Sequence, residues 1–313
     1  MVMKDLVIPL AAGLAIFLFG MQVMRIGFEH LFLEKAKKIL GTLTRTPVTG
    51  LVSGTVATAI LQSSSAVLLL VIGLTHARIM TFRQTIGVIL GANIGTVVTT
   101  ELLAISVHQL GVYFFILGAV LFLCPRTALR ASGMVTGGFG LLFLGMETMQ
   151  GIAPFLESLS WMENASQWGQ KGILSGIGFG LLLTAVIQSS TATTAIAMNL
   201  TYEQLISLPL AIAIVLGSNI GTCVTALLGS MATNLAGRQV AVAHVLLNVL
   251  GVFLFIPFIP LLTVIVEQLT SNPMLQVAHA QTIFNVLCSL LALPFTKAFE
   301  RMVLFVTRGS AQA

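Results

Sequence analysis

Apolar residues run through this chain in stretches long enough to span a bilayer, and polar side chains interrupt them at only a few places. Leu6 to Met24 reads as a first spanning helix, since ~20 apolar residues cover a ~30 Å hydrocarbon core. Phe28 to Arg45 interleaves Glu29, Glu34, Lys35, Lys37 and Lys38 with Leu31, Phe32, Ile39 and Leu40. That amphipathic pattern predicts a helix lying at the interface. Pro47 opens an apolar stretch to Leu74 that is interrupted at Gln62-Ser63-Ser64-Ser65. Each arm has about 10 to 15 residues, too few to cross alone, so residues 47–75 are expected to form a re-entrant hairpin. Its non-helical tip needs protein or a watery cavity around it. Crossings follow at Thr85–Leu103, Ser106–Pro125 and Gly133–Met149. Pro154 to Trp168 reads as a second interfacial segment, with Trp161 and Trp168 suited to the headgroup belt. A second hairpin, 172–200, is built around Gln188-Ser189-Ser190-Thr191. Crossings at Leu208–Gly229, Val240–Val266 and Ala280–Val306 complete the pattern.

The two hairpins are one pattern written twice, about 126 positions apart. Gly50/Gly176, Gly54/Gly180, Thr58/Thr184, Ala59/Ala185, Gln62/Gln188, Ser63/Ser189, Ser64/Ser190 and Ala66/Ala192 stay in phase. Each hairpin is followed by a second polar patch, Gly91-Ala92-Asn93-Ile94-Gly95-Thr96 and then Gly217-Ser218-Asn219-Ile220-Gly221-Thr222. Chance similarity between greasy stretches would not keep the polar positions aligned. The chain therefore reads as an all-α polytopic membrane protein with two repeats, residues 1–131 and 132–266. Residues 267–313 add one extra C-terminal transmembrane helix and a short tail. Each repeat holds three crossings and one hairpin, and an odd number of crossings forces the second repeat into inverted topology.

Composition and charge test this picture. Hydrophobic residues make up 57% and charged residues 8%, with a mean hydropathy of +1.02; a soluble domain carries roughly a quarter charged residues. Placing Phe28–Arg45 in the cytoplasm leaves only Lys4 and Lys171 outside among the 15 Lys and Arg. The positive-inside rule then sets the N-terminus outside and the C-terminus in the cytoplasm of a cell (inner) membrane. The net charge of +5 sits in loops and does not mark a nucleic-acid partner. No small-residue cleavage site follows the first apolar stretch, so no removable signal peptide is expected. Cys124, Cys223 and Cys288 read as free thiols acting as small hydrophobes. No Cys/His spacing suggests a metal site.

At each hairpin tip, the outgoing helix presents free N–H groups that suit an anion. The incoming helix ends in unpaired carbonyls that suit a cation. Ser, Thr, Gln and Asn side chains serve either, and sodium prefers such oxygen ligands. Broken helices in inverted repeats are the architecture of secondary transporters, with the substrate near the midplane between repeats. Gly91/Gly95 and Gly217/Gly221, by contrast, read as packing positions. Basic residues are absent from the expected midplane, so an anion would be held by N–H groups, hydroxyls and co-bound sodium rather than by Arg. Glu101 and Glu147 fall near segment ends and are candidate coupling acids. His244 and Asn248 lie one turn apart, as an interhelical hydrogen bond or as a cavity contact. No Gly-x-Ser-x-Gly elbow or Ser/His/Asp motif points to an enzyme.

The duplicated Gln-Ser-Ser-[Ser/Thr] and Gly-[Ala/Ser]-Asn-Ile-Gly-Thr motifs resemble the type II sodium-dependent phosphate cotransporter family, from about Leu14 to Leu293. Arg238-x5-His244-x3-Asn248 is similar to a further motif of that family. A later Ala-x-x-His-x-x-x-Asn element is matched by Ala278 to Asn285, with Gln281 in place of His. The resemblance implies coupled movement of sodium and inorganic phosphate. It implies a phosphate site at Gln62, Ser63, Ser64, Ser65, Gln188, Ser189, Ser190 and Thr191. It implies sodium ligands among Gln62, Asn93, Thr96, Gln188, Ser189, Thr194, Asn219 and Thr222. Thr193 and Thr194 have no polar match at Val67 and Leu68, which leans a sodium site toward the second repeat. Sodium is the coupling ion and no cofactor is implied; the partners are phosphate, sodium and the bilayer, with a homodimer left open. The residues alone also allow another small oxyanion or carboxylate, or an anion channel, and the resemblance leaves a phosphate exporter open.

Overall fold

The computed structural model describes residues 2–105, 110–150 and 172–308. Every regular element among them is helical: α1 (Val2–Thr42), α2 (Pro47–Leu61), α3 (Ser64–His76), α4 (Phe82–Ala104), α5 (Gly111–Phe122), α6 (Thr127–Gln150), α7 (Ile173–Ile187), α8 (Ser190–Tyr202), α9 (Leu208–Gly221), α10 (Cys223–Ser230), α11 (Leu235–Phe255), α12 (Ile259–Leu269), α13 (Pro273–Ala292) and α14 (Thr296–Arg308). Helix starts follow local chemistry. Thr46 caps α2, with Pro47 at its first turn and a reciprocal bond from Thr49. Thr81 and Gln84 form the same box at α4. Asn272 caps α13, accepting from the N–H groups of Met274 and Leu275 ahead of a first-turn Pro273.

Six segments among the described residues are long and apolar enough to cross a membrane, one fewer than the seven crossings expected. The shortfall is α5, whose 12 residues rise only about 18 Å. The interfacial helix expected at Phe28–Arg45 is not separate; α1 continues unbroken through it for 41 residues. Gly27 stands at that change of polarity, but it packs against Ala131 of α6 and does not end the helix. The crossing expected at Leu208–Gly229 is divided at Thr222 into α9 and α10. Those expected at Val240–Val266 and Ala280–Val306 start earlier and each contain a 3₁₀ turn, Ile256–Phe258 and Leu293–Phe295. Pro257 and Pro294 account for both, since proline removes the donor the helix needs there. Ala243, Asn248, Pro257 and Phe258 recur as Ala280, Asn285, Pro294 and Phe295, so the two kinked segments echo one another. The segment Pro154–Trp168 lies outside the described residues.

Small residues set the packing. On α1, Gly13, Gly20 and Gly27 face α6, where a Cβ would come 2.8 Å from the Gly145 oxygen, 2.8 Å from the Gly138 oxygen and 2.7 Å from the Ala131 oxygen. The partners descend in number as α1 ascends, so α1 and α6 are antiparallel, joined by a seven-residue stripe of small side chains. Gly13 and Gly20 correspond to Gly138 and Gly145 in the second repeat, so the contact is reciprocal. α2 packs on α4 and α7 on α9 by equivalent seams. A Cβ at Gly54 or Gly91 would overlap the carbonyl oxygens of Val88 and Leu51; one at Gly180 or Gly217 would overlap those of Ile214 and Ile177. These pairs keep the repeat spacing, and they place Gly91, Gly95, Gly217 and Gly221 in packing, as their spacing led one to expect. Two buried apolar clusters result, one around Phe17, Met146, Ile212 and Phe284 and one around Leu61, Val88, Leu90 and Val240.

Candidate functional site

The break between α2 and α3 is made by Gln62 and Ser63, and the break between α7 and α8 by Gln188 and Ser189. Gln62 adopts φ 52°, ψ 30° and Gln188 φ 59°, ψ 26°, the left-handed conformation that ends a helix. Glycine usually takes this place; here the glutamine side chain supplies what glycine cannot. Each Nε2 donates to the carbonyl three residues back, Ala59 or Ala185, at 2.6 Å. Each Oε1 accepts a hydroxyl from a later helix, Thr99 of α4 at 2.7 Å and Thr225 of α10 at 2.6 Å. Ser63 and Ser189 then cap α3 and α8, each accepting an N–H at 3.1 Å, from Ala66 and Ala192. The Gln-Ser dipeptide is thus a C-cap joined directly to an N-cap. The N–H groups of Ser64 and Ser65, and of Ser190 and Thr191, are left at first-turn positions that have no intrahelical acceptor.

Both tips open on one cavity of about 60 Å³. Gln62 to Ser65 line one side and Gln188 to Thr191 the other, with Thr96, Thr99 and Thr222 from the motif helices. α1 closes a further side with Met21, Gln22 and Arg25. Ser189 donates its hydroxyl to the Met21 sulfur at 3.3 Å, fastening α1 to the second tip. Of the residues proposed from sequence, all eight tip residues, Thr96 and Thr222 line the cavity.

Asn93, Thr194 and Asn219 do not. The Asn93 amide donates to Asn248 Oδ1 at 3.3 Å, and the Asn219 amide donates to the Val215 carbonyl at 3.0 Å. Thr193 and Thr194 are fully buried; Thr193 accepts from Thr184 at 2.7 Å. The hydroxyls that extend the second motif therefore turn inward and do not enlarge a cavity-facing cation site. The hydroxyl of Thr58, the counterpart of Thr184, has no hydrogen-bond partner among the described residues.

Arg25 adds a charge to this site. A basic residue does border the cavity, with its Nε 3.0 Å from Glu29 Oε1. Thr99 and Thr225 were missed in the sequence, although each follows its glutamine by 37 residues. That shared offset was the available signal. Thr99→Val is expected to destabilise the protein by about 1 kcal/mol, the effect of losing one hydrogen bond that orients the tip, while Thr99→Ser retains it; melting curves of the two variants check this.

Other candidates sit apart from the cavity. Glu101 accepts from Thr282 and lies 3.0 Å from His279 Nδ1, tying α4 to α13. Glu147 is exposed. Asn248 takes the interhelical role, bonded to Asn93 and to the His244 carbonyl at 2.9 Å. His244 Nδ1 and both amides of Gln281 and Asn285 are buried without a hydrogen-bond partner among the described residues. The described residues contain no cluster of three or more His, Cys, Asp or Glu that could hold a metal. A larger groove of about 550 Å³ runs beside α11, α12 and α13, lined by residues such as Leu254, Phe258 and Leu291, and it lacks groups to orient an ion.

Known proteins share this pattern. Residues 16–151 and 160–259 match the family model described as Na+/Pi-cotransporter. The uncharacterized protein YqeW of Bacillus subtilis is 36% identical over 304 residues, covering 95% of this chain and 97% of that protein. A protein of Escherichia coli K12 named "Putative inorganic phosphate export protein YjbB" is 26% identical over 307 residues, and the match spans 97% of this chain but 56% of YjbB. The human sodium-dependent phosphate transport protein 2C is 37% identical over 107 residues, 33% of this chain and 16% of its own length. No solved structure matches the chain. The family model covers well over half of the sequence, and the chain belongs to the Na+/Pi-cotransporter family.

Proposed function

We propose that this protein is a secondary active transporter that moves inorganic phosphate together with sodium by alternating access. The observation that carries this reading is the convergence of the two Gln-Ser-Ser tips on a single polar cavity. Phosphate is held by the first-turn N–H groups and hydroxyls of Ser63–Ser65 and Ser189–Thr191, where two helix dipoles end. Sodium is held by oxygens of Gln62, Gln188, Ser189, Thr96 and Thr222. Each ion partly neutralises the other, which favours joint over separate binding and supplies the coupling. A cavity near 60 Å³ suits an ion as small as an inorganic oxyanion and not a drug-sized organic ligand.

The repeats in this reading have inverted topology, and 47–75 and 172–200 are re-entrant hairpins. Two features support it: the reciprocal antiparallel contact of α1 with α6, and arms of 15 and 13 residues in both pairs, too short to cross. The N-terminus lies outside and the C-terminus in the cytoplasm on the balance of basic residues. Transport in this family is the ground for reading no enzyme here. The human relative named for sodium-dependent phosphate transport supports the choice of ions, and the YjbB name supports outward flux through the same site.

Radiolabelled phosphate uptake into proteoliposomes tests the reading. Saturable uptake driven by a sodium gradient, competed by arsenate and not by succinate, is expected. Sodium-independent uptake of a dicarboxylate would overturn it. Loading phosphate on either side of oriented vesicles measures the direction of flux.

A further inference from the structure

Arg25 is the only charged side chain lining the cavity among the described residues. It shares a face of α1 with Met21 and Gln22, one turn away. It is held by Glu29, one turn further on, through the 3.0 Å contact of Nε with Oε1. Both side chains are about a third exposed, 32% and 34%, so the pair stands at the mouth of the cavity and is not sealed in the core. Such a pair is weak and exchangeable. The repeat does not preserve it: the position equivalent to Arg25 is Gln150, whose amide reaches the Met274 sulfur at 3.8 Å and does not line the cavity. The two tips are thus matched in their glutamine and serine cap hydrogen bonds, yet only one half brings a full positive charge.

We propose that Arg25 is a specificity-determining residue that takes the anion's charge, and that Glu29 competes with the anion for it. This rests on the phosphate-transport reading above. A guanidinium fork matches the edge of a tetrahedral oxyanion and binds it through charge-assisted hydrogen bonds. Before binding, the Glu29 carboxylate occupies the guanidinium and leaves the cavity mouth neutral overall. An entering phosphate exchanges its oxygens for those of Glu29. The carboxylate then faces the solvent at the rim, and Arg25 complements the free N–H groups of the tips. Neutral solutes of the same size gain nothing from this exchange and are rejected.

Initial rates of phosphate uptake by the full-length protein in proteoliposomes, at saturating sodium, test the proposal. Arg25→Gln is expected to raise the KM for phosphate about tenfold, the loss of one charge-assisted contact, with the sodium dependence of the remaining uptake unchanged. Arg25→Lys is expected to fall between, since it keeps charge without the fork. Glu29→Gln removes the competitor and is expected to lower KM about threefold. A gain of affinity cannot come from misfolding, so this variant decides the matter even if Arg25→Gln is lost from the membrane. Wild-type KM in Glu29→Gln, or in a folded Arg25→Gln, would overturn the role given to Arg25. Absence of sodium-driven uptake by the wild-type protein would instead overturn the transport reading itself.

Discussion

Gln62→Ala is expected to abolish sodium-coupled phosphate uptake while leaving a folded protein in the membrane, and Gln188→Ala is expected to do the same. Each glutamine makes two side-chain hydrogen bonds, to Ala59 and Thr99 or to Ala185 and Thr225. Losing both removes about 1 to 3 kcal/mol, and alanine must still adopt a left-handed backbone, which disfavours it by about 1 kcal/mol more. A chain of this size tolerates that loss. Transport does not, because the amide fixes the angle at which two helices meet and offers oxygen to the cavity. Gln62→Gly separates these roles. Glycine relieves the backbone but restores neither amide contact, so its uptake should stay at background. Wild-type rates in Gln62→Gly would mean that the tip needs only a flexible residue. Equal losses from Gln62 and Gln188 variants are expected, since their bond lengths and dihedrals match closely.

The second large effect concerns stability. Gly91→Ala and Gly180→Ala should lower the thermal stability of the purified protein severely, by about 3 kcal/mol or more. The added Cβ would overlap a backbone oxygen of the neighbouring helix, that of Leu51 or of Ile214, and backbone cannot rotate away as a side chain can. Gly73 and Gly178 are the controls. Both are helical, and a Cβ at either meets nothing within 4 Å. There the higher helix propensity of alanine should be neutral or gain up to about 1 kcal/mol. Melting curves in detergent for the four variants give the comparison; similar midpoints in all of them would show that the seams are looser than their geometry.

Much of this was legible in the chain because duplication writes each constraint twice. The in-phase Gln, Ser and Gly positions marked the tips and the seams before any helix was placed. Besides Thr99 and Thr225, three things escaped. The stripe Gly13, Gly20, Gly27 was hidden because its partners, Gly145, Gly138 and Ala131, lie far along the chain and run the other way. Arg25 was assigned to a cytoplasmic helix end because charge counting gives the side of the membrane but not which tip folds over the residue. His279 was passed over because its partner Glu101 is 178 positions away. Breaks were misjudged where polarity was used as a proxy for backbone chemistry: α1 crossed its polar boundary unbroken, while Pro257 interrupted a stretch of unvarying hydrophobicity and Pro294 broke its segment before the first charge.

The reciprocal glycine contact between α1 and α6 bears on energy as well as shape. Gly13 meets Gly145 and Gly20 meets Gly138, so exchanging the two halves about that axis reproduces the same contacts. In the transport cycle proposed here, the states open to either side are then nearly degenerate, and neither needs a large driving force to interconvert. Their residual difference comes from positions where the halves disagree, among them Arg25 against Gln150 and Val67 against Thr193. Substitutions at those few places should bias the resting orientation, whereas the same change made in both members of a matched pair should stabilise or destabilise both orientations alike.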